Sequence, residues 1–193
     1  MTTIQKSSVE KRLWTSSCWY LLHLLSYFYQ PKLYPYYARF YRKLGGVLPC
    51  DMCRTHYREY VRKYPIERGT NLIRWTIRYH NEVNSFTNKT VLTEDTIYDL
   101  LHVENGKDNQ LLPPVNHYYI WTFLTIVYDY HIDNDHIPLY REFLSIFKVI
   151  IPCEQCRLDL NLLSMESESI ATYLKIIKHH KIKNADKIKF TVA

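Results

Sequence analysis

Apolar residues recur along this chain at helical spacing almost from its start. Within residues 8–29, Trp14, Cys18, Leu21, Leu22, Leu25 and Phe28 fall three or four apart, which predicts a long amphipathic helix. Pro31 and Pro35 interrupt the chain before a second helix at about 36–44, which Gly45-Gly46 is expected to end. A third helix opens at CDMCRTHYREYVRKY and stops at Pro65, the ring of which cannot continue it. Further helices are predicted at about 70–84 and, shorter, at about 94–102. The polar stretch HVENGKDNQLLPP at 102–114 reads as a linker. The whole pattern is all-α.

Beyond the linker the pattern begins again. WYLLHLLSYFYQ, from Trp19, is echoed by WTFLTIVYDYHI, from Trp121; ARFYRKLGGVLPCDMCR is echoed by REFLSIFKVIIPCEQCR. HNEVN at 80–84 has a thinner counterpart in HKIKN at 180–184. Tryptophan, proline and paired cysteines at matching separations predict two copies of one helical unit. The second copy is degraded: His23 becomes Thr125, and the positions of Asn81 and Val83 become Lys181 and Lys183. The expected organisation is therefore a first unit over 8–102, a linker at 103–114, a degenerate repeat over 115–184 and a Lys-containing tail at 185–193. Polar and aromatic groups that only the first copy keeps should mark where chemistry happens.

Composition narrows the classes of function. With 193 residues, 47% hydrophobic and 23% charged, the chain has the makeup of a globular protein with room for two small domains. It has only four glycines, and neither GxGxxG nor a Walker A string occurs, which argues against Rossmann and P-loop enzymes. No apolar run approaches the roughly 18 residues needed to span a bilayer. MTTIQKSSVEKR lacks the apolar core of a secretory signal, so a soluble cytoplasmic protein is expected. The net charge of +6 is uneven: residues 1–100 carry 15 basic against 8 acidic residues, and lysines cluster again from Lys175 to Lys189. A solvated helix face accounts for that tail; acidic partners are the other reading, and no nucleic-acid function is expected.

The cysteines carry more information. Cys50/Cys53 and Cys153/Cys156 form two CxxC pairs, each preceded by proline and each opening a helical stretch. Unpaired N–H groups at a helix start favour a thiolate, which makes such a pair competent for exchange. A zinc site shared by all four is the alternative, but the pairs stand a whole domain apart and no glycine knuckle follows either; no metal is expected. Cys18, inside the tryptophan-rich helix, reads as a small buried hydrophobe.

In the first copy Trp19 and His23 share a helix face. Ile73, Ile77, His80 and Asn84 form one stripe on another helix, so His80 and Asn84 continue an apolar face inward. Buried groups of this kind must be hydrogen-bonded, either to each other or to a planar aromatic ligand. WTSSCWYLLH at 14–23, PCDMC at 49–53 and HNEVN at 80–84 closely resemble the flavin-linked sulfhydryl oxidases of the Erv/ALR type, most of all the viral members. Thr15 departs from the glycine that many relatives have there, and Ser16 stands where some cellular members have arginine.

The resemblance covers roughly residues 10–102. It implies a four-helix bundle that holds FAD, with a short fifth helix and a second copy that serves as an intrachain partner, a pseudo-dimer. It assigns cofactor binding to Trp14, Trp19, His23, His80, Asn81, Val83, Asn84 and Lys89, with the adenine among Trp19, His23, His80 and Asn84 and Lys89 near the phosphates. It makes Cys50 the exchange cysteine and Cys53 the flavin-facing one. Protein dithiols or a thioredoxin-like carrier would be the electron donors and O2 the acceptor, with release of H2O2. Homo-oligomers of the whole chain remain compatible with that reading. Cys153/Cys156 is left as either a shuttle dithiol or a structural disulfide.

Overall fold

A computed structural model describes residues 8–101, 117–133 and 136–162. The linker, the tail, Lys181, Lys183, HKIKN and the end of the expected repeat lie outside the described residues. All regular structure among the described residues is helical: α1 Ser8–Tyr27, a 3₁₀ turn Pro31–Leu33, α2 Tyr34–Val47, α3 Asp51–Lys63, α4 Leu72–Phe86 and α5 Glu94–Leu100. These are followed by α6 His117–Asp133, α7 Ile137–Ile150 and α8 Glu154–Leu162.

Local chemistry sets most of the boundaries. Pro35 and Pro138 sit in the first turns of α2 and α7, where a missing N–H costs nothing. The Asn71 side chain caps α4 by accepting from the Arg74 N–H at 3.0 Å. Thr93 and Thr96 form a reciprocal capping box at the start of α5.

One expectation is corrected. Gly45-Gly46 does not end α2, which continues to Val47. The glycine serves close packing instead: a Cβ on Gly45 would lie 2.8 Å from Cγ of Arg58 and 3.0 Å from Cδ1 of Tyr57. Glycine at this point lets α3 approach the backbone of α2.

α1 packs against α4 on one side and α6 on the other, while α2 packs against both α3 and α7. The sandwiching explains why Ser17, Cys18 and every residue from Tyr20 to Ser26 is buried. Several buried tyrosines tie neighbouring helices through their hydroxyls. Tyr41 donates to the Leu22 carbonyl at 3.2 Å, Tyr60 to Trp75 at 3.1 Å and Tyr140 to Leu124 at 2.9 Å. No helix among the described residues is long and apolar enough to cross a membrane.

Candidate active site

Cys50 is the N-cap of α3. Its backbone is extended, and its Sγ accepts from the Cys53 N–H at 3.2 Å. Cys50 and Cys53 form a disulfide, with Cα atoms 5.2 Å apart. Asp51 in the first turn and Arg62 and Lys63 in the last complement the dipole of the helix. Both sulfurs belong to half-buried residues, and Met52 between them is 65% exposed, so the pair lies at the surface. On reduction, the N-cap position would stabilise a Cys50 thiolate. Arg54 closes the loop below: Nη1 donates to the Leu48 carbonyl at 2.6 Å and Nη2 to the Tyr130 hydroxyl at 3.0 Å, and the guanidinium also pairs with Asp51.

α1 and α4 bring the second group of residues together. His23 Nε2 and His80 Nδ1 lie 2.9 Å apart and share one proton donor. Trp19 stacks flat on His80, with ring centroids 3.7 Å apart and planes 4° from parallel. Burial pulls the His80 pKa down to about 3, assisted by the positive charge of Lys89. His23 is lowered well below its ordinary value by burial and by His80. Both imidazoles are therefore neutral at physiological pH. The mutual hydrogen bond leaves one group over: His23 Nδ1 is buried without a partner.

The loop after α4 is tied to the same cluster. Asn84 Nδ2 donates to the Thr90 carbonyl at 2.8 Å, and its own carbonyl accepts from the Lys89 N–H at 2.9 Å. The turn passes through Asn88 at φ 53°, a left-handed conformation that asparagine tolerates. Asn81 spends both ends of its amide on the backbone of Leu92, at 2.9 and 2.8 Å. Trp14 is buried, Val83 half-buried and Lys89 exposed.

Ring contacts place α3 beside this cluster. Tyr57 meets Tyr79 at 5.1 Å, Tyr79 meets Trp19 at 5.3 Å, and His56, three residues past Cys53, stacks on Phe86 at 5.7 Å. Cys18 is buried and unbonded, and desolvation raises its pKa, as a buried hydrophobe requires. Cys153 and Cys156 form their own disulfide, buried at 7% and 1% exposure. The four paired cysteines are thus joined two by two as separate disulfides. Tyr130 and His131, both in contact with the α2–α3 loop region, went unnoticed in the sequence because they fall in the copy that reads as degraded.

A dithiol at a helix start beside an aromatic–histidine cluster on an all-helical frame defines a class of redox protein. Comparison with known proteins gives the family. The Erv1/Alr family model matches residues 16–101, which is α1 to α5. A probable FAD-linked sulfhydryl oxidase of Acanthamoeba polyphaga mimivirus is 32% identical over 93 residues, 46% of this chain and 61% of that protein. FAD-linked sulfhydryl oxidases of two African swine fever virus isolates, from Kenya and Malawi, are each 30% identical over 88 residues, 42% of this chain and 72% of theirs. This chain belongs to the Erv1/Alr family. It spans about 61% of the length of the mimivirus relative. No solved structure matches the chain significantly.

Proposed function

We propose that this chain is an FAD-dependent thiol oxidase that makes disulfides in protein substrates, with the net reaction 2 R–SH + O2 → R–S–S–R + H2O2. The observation that carries the reading is the surface Cys50–Cys53 disulfide at the N-cap of α3, on a helix whose Tyr57 packs against Tyr79, the α4 ring that meets Trp19 of the Trp19–His80 stack. The residues there fit a flavin nucleotide. Trp19 and His80 offer a flat aromatic shelf, and the buried, unpartnered Nδ1 of His23 offers a polar contact that the protein itself leaves unused.

When bound, FAD would supply a two-electron acceptor for the dithiol and a route to dioxygen. The protein residues do the rest. Cys50, the more distal partner in exchange, takes the attack of a substrate thiolate and forms a mixed disulfide, releasing Cys53 as a thiolate. The second substrate thiol then displaces Cys50, leaving a reduced pair and an oxidised substrate. His23 and His80, held neutral by burial, would hydrogen-bond the cofactor without adding charge, and the exposed Lys89 would face its phosphates. Asn84 shapes the loop that carries Lys89, and Asn81 braces the same loop through Leu92. Trp14 and Val83 would contribute apolar walls. The electron donors would be protein dithiols or a thioredoxin-like carrier.

We read residues 8–102 as the catalytic unit and 115–184 as its degenerate repeat, which together form an intrachain pseudo-dimer. α2 and α7 are equal in length, at 14 residues, and each has proline at its second position. Phe40 and Phe143, the seventh residue of each, meet at 5.1 Å, as corresponding residues do beside a two-fold axis. Cys153–Cys156 then has a structural role, which its burial supports.

The test is flavin content. The purified chain should be yellow and release one FAD per chain on denaturation, and His80→Ala should lose most of it. A colourless chain that takes up no added FAD would overturn the assignment, and two flavins per chain would overturn the degeneracy of the repeat.

A further inference from the structure

Of the last carbonyls before the dithiol, that of Val47 is held from outside the segment that matches the family, and the arginine that holds that of Leu48 is itself contacted from there. Val47 ends α2 and Leu48 caps it, so both carbonyls are left without an intrahelical donor. Pro49 follows and has no N–H to offer the loop. His131 of α6, buried at 1% exposure, donates from Nε2 to the Val47 carbonyl at 3.0 Å. Because a carbonyl only accepts, that nitrogen carries the proton. Leu48 accepts from Arg54, and Arg54 is in turn held by Tyr130: by a hydrogen bond at 3.0 Å, and by its guanidinium lying 5.2 Å from the centre of the ring.

The second CxxC has only half of this arrangement. Arg157 donates to the Ile151 carbonyl at 3.0 Å, as Arg54 does to Leu48. In the repeat alignment, however, Tyr130 and His131 correspond to Phe28 and Tyr29, and the Tyr29 hydroxyl goes to the Arg68 carbonyl instead. Among the described residues the clamp is one-sided and serves the surface pair.

We propose that Tyr130 and His131 are positioning residues for the Cys50–Cys53 dithiol, fixing Cys50 at the head of α3 by holding Arg54 and the Val47 carbonyl. The proposal rests on the reading of Cys50–Cys53 as the working pair. A Cys50 held at the N-cap keeps its contact with the Cys53 N–H, which favours the thiolate and so the reduced state. Loosening the clamp shifts the pair toward the disulfide.

The experiment equilibrates the full chain with reduced and oxidised glutathione and reads each pair by differential alkylation and mass spectrometry. In this reaction two glutathione thiols reduce one protein disulfide and leave as oxidised glutathione. Tyr130→Phe keeps the ring and loses the hydroxyl; His131→Leu loses the donor, whereas His131→Gln retains one. We expect Tyr130→Phe and His131→Leu each to move the Cys50–Cys53 constant about threefold toward disulfide, and the double variant about tenfold. His131→Gln should show little of the shift, and the Cys153–Cys156 constant should not move. A Cys50–Cys53 constant unchanged in both single variants overturns the proposal, as does an equal shift in both pairs, which would signal general loosening. If one variant fails to fold, the other carries the test. The measurement needs neither flavin nor dioxygen, so a chain without oxidase activity would sink the functional reading and leave this result standing.

Discussion

Cys50–Cys53 and Cys153–Cys156 share their local chemistry. Each first cysteine accepts the N–H of the second, at 3.2 and 3.0 Å, and each following arginine donates to the carbonyl three residues before the second cysteine's helix begins, from Leu48 or Ile151. Their surroundings differ. The first pair is half exposed and lies on the helix whose Tyr57 packs against Tyr79, which in turn meets Trp19. The second is buried, and Thr125, which the proposed repeat pairs with His23, turns its hydroxyl back to the Trp121 carbonyl of its own helix at 2.8 Å. A CxxC at a helix start thus supplies reactivity only in principle. Access, and a partner to receive electrons, come from the helices around it.

The sharpest break of this comparison is to remove each pair in turn. Cys50→Ser or Cys53→Ser should lower dithiol-dependent oxygen uptake by about a hundredfold or more, since the exchange step loses its sulfur. The Cys153→Ser/Cys156→Ser double variant should oxidise a small dithiol and a reduced protein at rates within about twofold of wild type. Its cost should appear in stability, about 2 kcal/mol by chain entropy for so short a loop. If protein oxidation collapses in this variant while small-dithiol oxidation persists, the second pair is a relay and the contrast between the two is wrong.

Next in size is the contact between the two regions. Phe40 and Phe143 are both fully buried and face each other across α2 and α7. Truncating either to Ala should destabilise the chain by about 3–5 kcal/mol, within the range for buried aromatics. Denaturation should remain a single transition, because among the described residues α6 and α7 are what cover α1 and α2 on that side. Two separated transitions would show that each region folds alone.

A smaller effect follows pH. His80 titrates near 6.5 when unfolded but is pushed to about 3 in the fold, so the unfolded chain binds the extra proton. Stability from this group is therefore present above pH 6.5 and lost as pH falls toward 3. Between pH 6.5 and 5, wild type should lose about 1.5 kcal/mol more than His80→Asn, measured by chemical denaturation. His131 on α6 is also buried, and burial lowers its pKa too, so the comparison with His80→Asn isolates the share of the dependence that belongs to His80. Equal losses in both proteins would mean that His80 is not held neutral.

How much of this could be read in the sequence follows from how local each signal is. Helix order, the cysteine pairs at helix starts and the meeting of Trp19, His23 and His80 were legible, because proline, capping and helical spacing act over a few residues. Gly45-Gly46 misled because its function is a contact with Tyr57 and Arg58, more than ten residues away, whereas the local rule for glycine is to end a helix. Tyr130 and His131 were illegible for a related reason. Their partners, Arg54 and the Val47 carbonyl, are some eighty residues earlier in the chain, and nothing in WTFLTIVYDYHI marks a hydrogen bond to a distant carbonyl. That the amide of Asn81 goes to Leu92 was likewise hidden, since a ligand-binding and a loop-bracing asparagine read the same in HNEVN.

The smallest expected effect concerns Lys43 and Glu142, the ion pair that joins α2 to α7 at 2.7 Å. It bridges the same two helices as Phe40 and Phe143, yet its side chains are 35% and 41% exposed. Water screens such a pair, and two flexible side chains lose entropy in holding it, so it should add about 0.5 kcal/mol. A double-mutant cycle with Lys43→Met and Glu142→Gln isolates that coupling from whatever else each residue does. In 1 M salt, where screening acts within about 3 Å, the coupling should fall toward zero. The aromatic contact beside it should keep its full effect at the same salt concentration. A coupling above about 2 kcal/mol that survives high salt would mean that charge, and not the buried rings, holds the two regions together.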